Sequence, residues 1–329
     1  MPLQKMDSRC KRVAGWALSA LLLLLMDATL VHAKLCGDNV QGQDVPCACG
    51  DTVVSNVVLS DDPVTSTICP ANGLIVRAGD VAGITIDLRG KTLRGSGKGA
   101  GVWVLYGGTG GARVVSTGQA AHLEGFRDGV VAQGDSSLAM LDSIVASGSQ
   151  RDGVRVHGSN YWINASEVLN SGRDGFALGG HDFRITGSRA LNSKRYGYFV
   201  MATRGGVGIP GNGNTSQGSG GTGFSISGMS ISVSDCVASG AAADGVYLYG
   251  MDITVEGCVA TDNIENGIVG EGGNWVLRNN QAVGNGYDGL VIHGMALADE
   301  GGNSGTGNLG QPWHRPPVQC AFNGVACAR

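Results

Sequence analysis

The sequence predicts an all-β fold, a parallel β-solenoid built from coils of about 22 residues, and three observations predict it. First, an Asx-Gly-apolar signal recurs at fixed spacing: Asp244-Gly245-Val246, Asn266-Gly267-Ile268 and Asp288-Gly289-Leu290 start 22 residues apart. Earlier copies begin at Asp128, Asp152 and Asp174, and Tyr196-Gly197-Tyr198 and Thr222-Gly223-Phe224 fill the remaining gap. Second, each signal opens a run that alternates with period two, such as Val154-Arg155-Val156-His157, and a second alternating run follows it. Third, Asn/Ser/Gly clusters such as Asn170-Ser171-Gly172 punctuate these runs, and nothing shows helical spacing. A coil of this kind cannot bury its apolar face alone, so the stack is the domain.

The elements follow in chain order. Residues 1–33 read as a signal peptide: Lys5, Arg9, Lys11 and Arg12 start it, Val13 to Met26 is apolar, and Val31-His32-Ala33 is a cleavage site. The apolar run is short for a membrane span, which points to a secreted or periplasmic protein with no membrane insertion after signal removal. Residues 34–72 hold four cysteines and an alternating run from Thr52 to Leu59, and form an N-terminal cap. Coils occupy 73–294, about eight or nine of them, the first ones longer at 28 residues. In the coil opened by Tyr196 the second strand is expected to give way to an inserted Gly-rich loop, Arg204 to Asn214. Residues 295–329 form a C-terminal cap segment.

Removing residues 1–33 leaves 19 basic and 25 acidic residues, and this acidic balance argues against nucleic acid as a partner. Eight cysteines remain, an even number that in an exported chain reads as disulfides. Cys36, Cys47, Cys49, Cys69, Cys320 and Cys327 are assigned to bridges in the end caps. Cys236 and Cys258 share one phase in adjacent coils, where a bridge and a pair of stacked thiols are both open. Cys47-Ala48-Cys49 has the wrong spacing for zinc, and no metal site or cofactor is expected. Two glycosylation sequons, at Asn164 and Asn214, are read as chance.

From Ile84-Thr85-Ile86-Asp87-Leu88-Arg89-Gly90-Lys91-Thr92-Leu93 through the Gly-apolar repeats, roughly residues 49–294, the chain resembles secreted right-handed parallel β-helix repeat proteins of the pectate-lyase-like superfamily. The resemblance implies a single-stranded right-handed parallel β-helix. For activity it implies only a range, because lyases, hydrolases, epimerases and adhesins share this architecture. The Asp-Pro-His-Glu run of alginate epimerases, the Arg-x-Pro-x-x-Arg of pectate lyases and the paired Asp of polygalacturonases are not in the sequence.

Alternation places apolar residues inward and their neighbours outward. With Val154 and Val156 inward, one outward column runs Trp103, Val131, Arg155, Ala177, Phe199, Ser225, Tyr247, Val269, Val291. A second runs Leu105, Gln133, His157, Gly179, Met201, Ser227, Tyr249, Glu271, His293. Two candidate sites emerge. Arg127, Arg151, Arg173 and Arg195 precede the turn residue of successive coils, with Arg155 and His157 close by, and could grip the carboxylates of an acidic glycan. The bland reading pairs them with Asp128, Asp152 and Asp174. Tyr247, Tyr249, Glu271 and His293 form a second sugar patch with stacking rings and one carboxylate, or an ordinary polar exterior. Thr222–Met295 carries eight acids against Arg278, so an anionic polymer should favour the N-terminal coils. The function expected is an exported carbohydrate-interacting protein with a polysaccharide partner, a lyase or epimerase on a uronate polymer being its catalytic form. A non-catalytic surface or periplasmic module is the alternative.

Overall fold

From Val154 on each coil lays down one long strand and one short one, while in the earlier coils the long strand is split in two. The computed structural model describes residues 34–77, 83–135, 137–310 and 318–327. One coil runs Val246–Glu256 then Val259–Thr261, and the next Ile268–Arg278 then Gln281–Val283. Long strands pair with long and short with short, all parallel, with Val246 beside Ile268 and Ile268 beside Leu290. The 22-residue period is therefore the rise of one coil, about 4.8 Å. The only helix among the described residues is the single turn Pro63–Ser66. The chain is an all-β parallel solenoid.

The punctuating residues work as corners. Asp252, Gly257 and Asp262 have φ of 55°, 65° and 54°, and their successors Asn274, Asn279 and Gly284 have 55°, 54° and 67°. Only Gly and short Asx side chains take this left-handed conformation cheaply, which is why Asn, Asp and Gly return at fixed phase. The glycine of the Asx-Gly signal has a different duty. A Cβ at Gly153 would collide with Val168 of the facing short strand and come 2.8 Å from the Gly175 carbonyl, so the position demands close approach, without positive φ.

Inside the coil, Val154 and Val156 are buried, as the alternation requires. Phe176, Tyr198 and Phe224 stack at 4.9 and 4.5 Å between ring centroids, and Tyr198 Oη donates to the Ser188 carbonyl at 2.6 Å. Buried asparagines form ladders that the sequence reading did not single out. Asn263 Nδ2 donates to Asn285 Oδ1 and Asn285 Nδ2 to Asn308 Oδ1, both at 2.8 Å, while each amide oxygen also accepts the backbone N–H of the preceding member. Cys236 and Cys258 occupy a parallel column that continues into Asn280. Their Cα atoms are 4.5 Å apart and they form a disulfide, which decides the choice left open above.

The end bridges pair Cys36 with Cys47, Cys49 with Cys69, and Cys320 with Cys327. The stack runs further than residues 73–294. Its short-strand sheet has eleven described strands, nine within those limits, with Ile68–Cys69 before them and Ser304–Thr306 after. Leu35–Val40 pairs in parallel with Asp51–Val53 at one end, and Cys320–Phe322 adds to Leu290–Asp299 at the other before a hairpin to Val325–Ala326. The run expected from Thr52 to Leu59 is broken into Asp51–Val53 and Val57–Val58. Residues 1–33, expected to be a signal peptide, lie outside the described residues. Among the described residues no helix is long and apolar enough to cross a membrane.

The inserted loop is a correction. The strand Tyr198–Val207 continues through Arg204, Gly205 and Gly206, in register with Phe183 to Ile185 and Ile231 to Val233. The ring of Phe183 takes the space a side chain at Gly205 would need, so glycine keeps the phase while a neighbour fills the core. The four extra residues bulge out only afterwards, around the bridge between Ile209 and Asn212.

Candidate functional site

The first outward column holds its register throughout and the second from Gln133 on, Leu105 being skipped at an irregularity between Val104 and Tyr106. The first runs Trp103, Val131, Arg155, Ala177, Phe199, Ser225, Tyr247, Val269, Val291, each paired with the next. The second runs Gln133, His157, Gly179, Met201, Ser227, Tyr249, Glu271, His293 in the same way. Arg155 and His157 of the first predicted cluster therefore share one face with the second, while Arg127, Arg151, Arg173 and Arg195 form a column of their own at the preceding turn. His157 stands near one end and Tyr249, Glu271 and His293 at the other, six coil rises from His157 to His293, or roughly 29 Å.

Beside the second column lies a floor of small residues: Gly158, Gly180, Ala202, Gly228, Gly250, Gly272 and Gly294. At Gly250 φ is +143° and a Cβ would strike the carbonyl of Gly228, so the backbone here must be bare. Beyond the floor a further column carries Thr203, Met229, Met251 and Met295, with Gly273 between the last two. Two walls and a bare floor make a groove along the solenoid axis, about 750 Å³, lined by Met201, Ser227, Met229, Tyr249, Met251 and Met295. These methionines are 43–75% exposed, an unusual position for so apolar a side chain. Four of the five methionines outside residues 1–33 meet here. The sequence reading missed the groove, although Met229 and Met251 stand 22 residues apart and Met295 shares their phase.

At the N-terminal end the groove meets cations. Arg155 makes no hydrogen bond or ion pair among the described residues, and its Nε is buried without a partner. Burial lowers its pKa, helped by the Arg151 charge, and Asp128 and Asp152 oppose the shift. His157 leans across the next coil, where a Cβ on Gly179 would come 2.8 Å from its Cδ2. The other arginines are pinned. Arg151 Nε donates to Asp128 at 3.0 Å, Arg173 Nε to Asp152 at 2.7 Å and Arg195 Nε to Asp174 at 2.7 Å. Arg127 pairs with Asp128 of its own coil at 3.0 Å. These carboxylates are fully buried, while the arginine side chains stay 31–53% exposed. The result is a stepped row of fixed cations above sequestered anions, with Arg195 also lying 4.7 Å over the Tyr196 ring. At the other end, Tyr249 is beside Glu271 and Glu271 beside His293, while Tyr247 lies one column over.

Asn214, of the second sequon, is fully buried and donates to the Ile185 carbonyl. Among the described residues no group of three or more His, Cys, Asp or Glu is placed to hold a metal ion.

Residues 104–250 match the family model described as "Right handed beta helix region". The chain carries a right-handed β-helix region. No curated protein matches it. Among solved structures, the β-helix is similar to the A-module of mannuronan C-5 epimerase AlgE4 from Azotobacter vinelandii, at 14% identity and TM-score 0.42, covering 77% of this chain and 81% of that one. It is similar to a double mutant of the periplasmic alginate epimerase AlgG at 15% identity and TM-score 0.38, covering 89% and 87%. It is also similar to tailspike protein 2 of the Escherichia coli bacteriophage CAB120, at 13% identity and TM-score 0.25, covering 89% of this chain and 43% of that one.

Proposed function

We propose that the β-helix is an exported carbohydrate-binding protein that holds a linear acidic polysaccharide along the methionine-lined groove. The observation that carries this reading is the continuity of the face. One face carries an unpaired arginine and a histidine at one end and a tyrosine, a carboxylate and a second histidine at the other, with the groove between Gly180 and Met295 running along it. A linear polymer suits a site with translational repeat, because successive sugars meet equivalent positions on successive coils. Thioether and phenol side chains pack against the apolar faces of sugar rings. Arg155, with Arg127, Arg151 and Arg173 behind it, attracts the uronate carboxylates. The disulfides support an extracellular or periplasmic setting.

A lyase or epimerase is the catalytic form of the same reading, favoured by Arg155 and His157 standing two residues apart on one outward face. Arg155 would neutralise the carboxylate and so make the C5 proton more acidic, and His157 would remove that proton. A lyase then expels the substituent at C4, leaving a double bond between C4 and C5, while an epimerase returns a proton to the opposite face of C5. Isothermal titration with oligouronates tests binding: Arg155→Ala and Tyr249→Ala should each weaken it about tenfold, or about 1.4 kcal/mol. Equal affinity for both variants and the parent removes the reading. Ultraviolet absorbance of an unsaturated product reports a lyase, and product NMR an epimerase.

A further inference from the structure

The second half of the long strands carries another cleft, of about 570 Å³, on a separate set of columns from the groove. Trp162, Arg184, Gly206 and Ser232 stand in register on four successive coils. Trp162 is 41% exposed, yet its Nε1 donates to Thr186 Oγ1 at 3.1 Å, so the indole is fixed with a face toward solvent. Arg184 beside it is exposed and makes no hydrogen bond or ion pair among the described residues. Next comes Gly206, where a Cβ would meet nothing nearer than the Gly208 carbonyl at 3.6 Å, which leaves a notch one side chain deep. Beyond the notch stands the exposed Ser232, its hydroxyl 3.4 Å from that of the buried Ser234, and Ile209 and Pro210 of the bulge form a side wall. The remaining cation, Arg204, is spoken for: it grips Asp182 through two bonds of 2.9 and 2.8 Å, and Asp182 also meets His181 Nδ1 at 2.8 Å.

We infer that this cleft is a second binding site, for a single carboxylate-bearing sugar unit, independent of the groove. The parts match that ligand one for one. The fixed indole stacks on the apolar face of a pyranose ring, the free guanidinium takes the carboxylate through two parallel hydrogen bonds, the notch admits the ring, and Ser232 meets its hydroxyls. A neutral sugar leaves Arg184 without its partner, and an anion without a ring leaves Trp162 unused.

Tryptophan fluorescence of the full chain, titrated with digalacturonate and with the neutral disaccharide of the same linkage, tests it. The parent should respond to the acidic disaccharide at least tenfold more tightly than to the neutral one. Trp162→Phe should lose the signal, and Arg184→Ala should lose the preference for the acid. Gly206→Tyr, which keeps both residues, should block binding by filling the notch. Tyr249→Ala should leave the response intact, which separates this site from the groove. An Arg184→Ala variant that keeps the preference, equal responses to both disaccharides, or no response from the parent overturns the inference.

Discussion

Asp152 and Glu167 each face an arginine of the next coil, and their surroundings make the two pairs unequal. Asp152 is fully buried and accepts from Arg173 Nε and from the backbone amide of Asp174. Glu167 meets Arg189 at 3.3 Å with both side chains partly in water. Asp152→Ala should cost about 1–3 kcal/mol because it leaves buried donors unmet, whereas Glu167→Ala should cost less than about 1 kcal/mol. Urea unfolding of both variants checks the contrast. Asp244 adds a pH dependence. Burial raises its pKa, and the bonds from Asn266 only partly offset the shift. Between the ordinary and raised values the folded chain binds the extra proton, so stability falls as pH rises through that window and stays lowered above it. Asp244→Asn keeps an acceptor for the Asn266 amide and removes the charge, as Asn266 itself does for Asp288 one coil on. The variant should melt higher than the parent at pH 7 and match it at pH 3; a gap that ignores pH would rule out ionisation as the cause.

At the scale of one coil, the groove floor and the internal ladders set what the sequence can tolerate. Gly250→Ala should lower the melting temperature sharply, since the backbone at φ +143° is costly for any other residue and the new Cβ strikes Gly228. Asn285→Ala removes two donated bonds and takes away the acceptor of the Asn263 backbone N–H and of one Asn263 Nδ2 hydrogen, a loss on the order of 3 kcal/mol by thermal or urea melts. Strand alternation and both outward columns were legible in the text because period two is imposed by the backbone itself. The asparagine ladders were not, because Asn is also the ordinary corner residue: only depth separates Asn285 inside the coil from Asn279 at its corner. The strand through Gly205 was missed for a related reason. Glycine there signals a neighbour's ring, Phe183, rather than a loop.

Over the whole molecule the period gave the architecture, since equal phase in the text became adjacency in space along every column. The arginine row was readable too, and so was its pairing with Asp128, Asp152 and Asp174. What spacing could not say is that these carboxylates are fully buried while Arg155 stands unpaired, because both depend on depth within the corner. The groove escaped notice because Met201 and Met251 read as ordinary apolar residues until the bare floor beside them was seen to keep them in solvent. Those same methionines give the most direct test of the proposed function. With methyl-labelled methionine, the NMR signals of Met201, Met229, Met251 and Met295 should all move as an oligouronate is added, whereas Met140, which pairs with Trp162, reports the second cleft and not the groove. Four unmoved groove signals at saturating ligand, or a response confined to Met140, would contradict a polysaccharide lying along this groove.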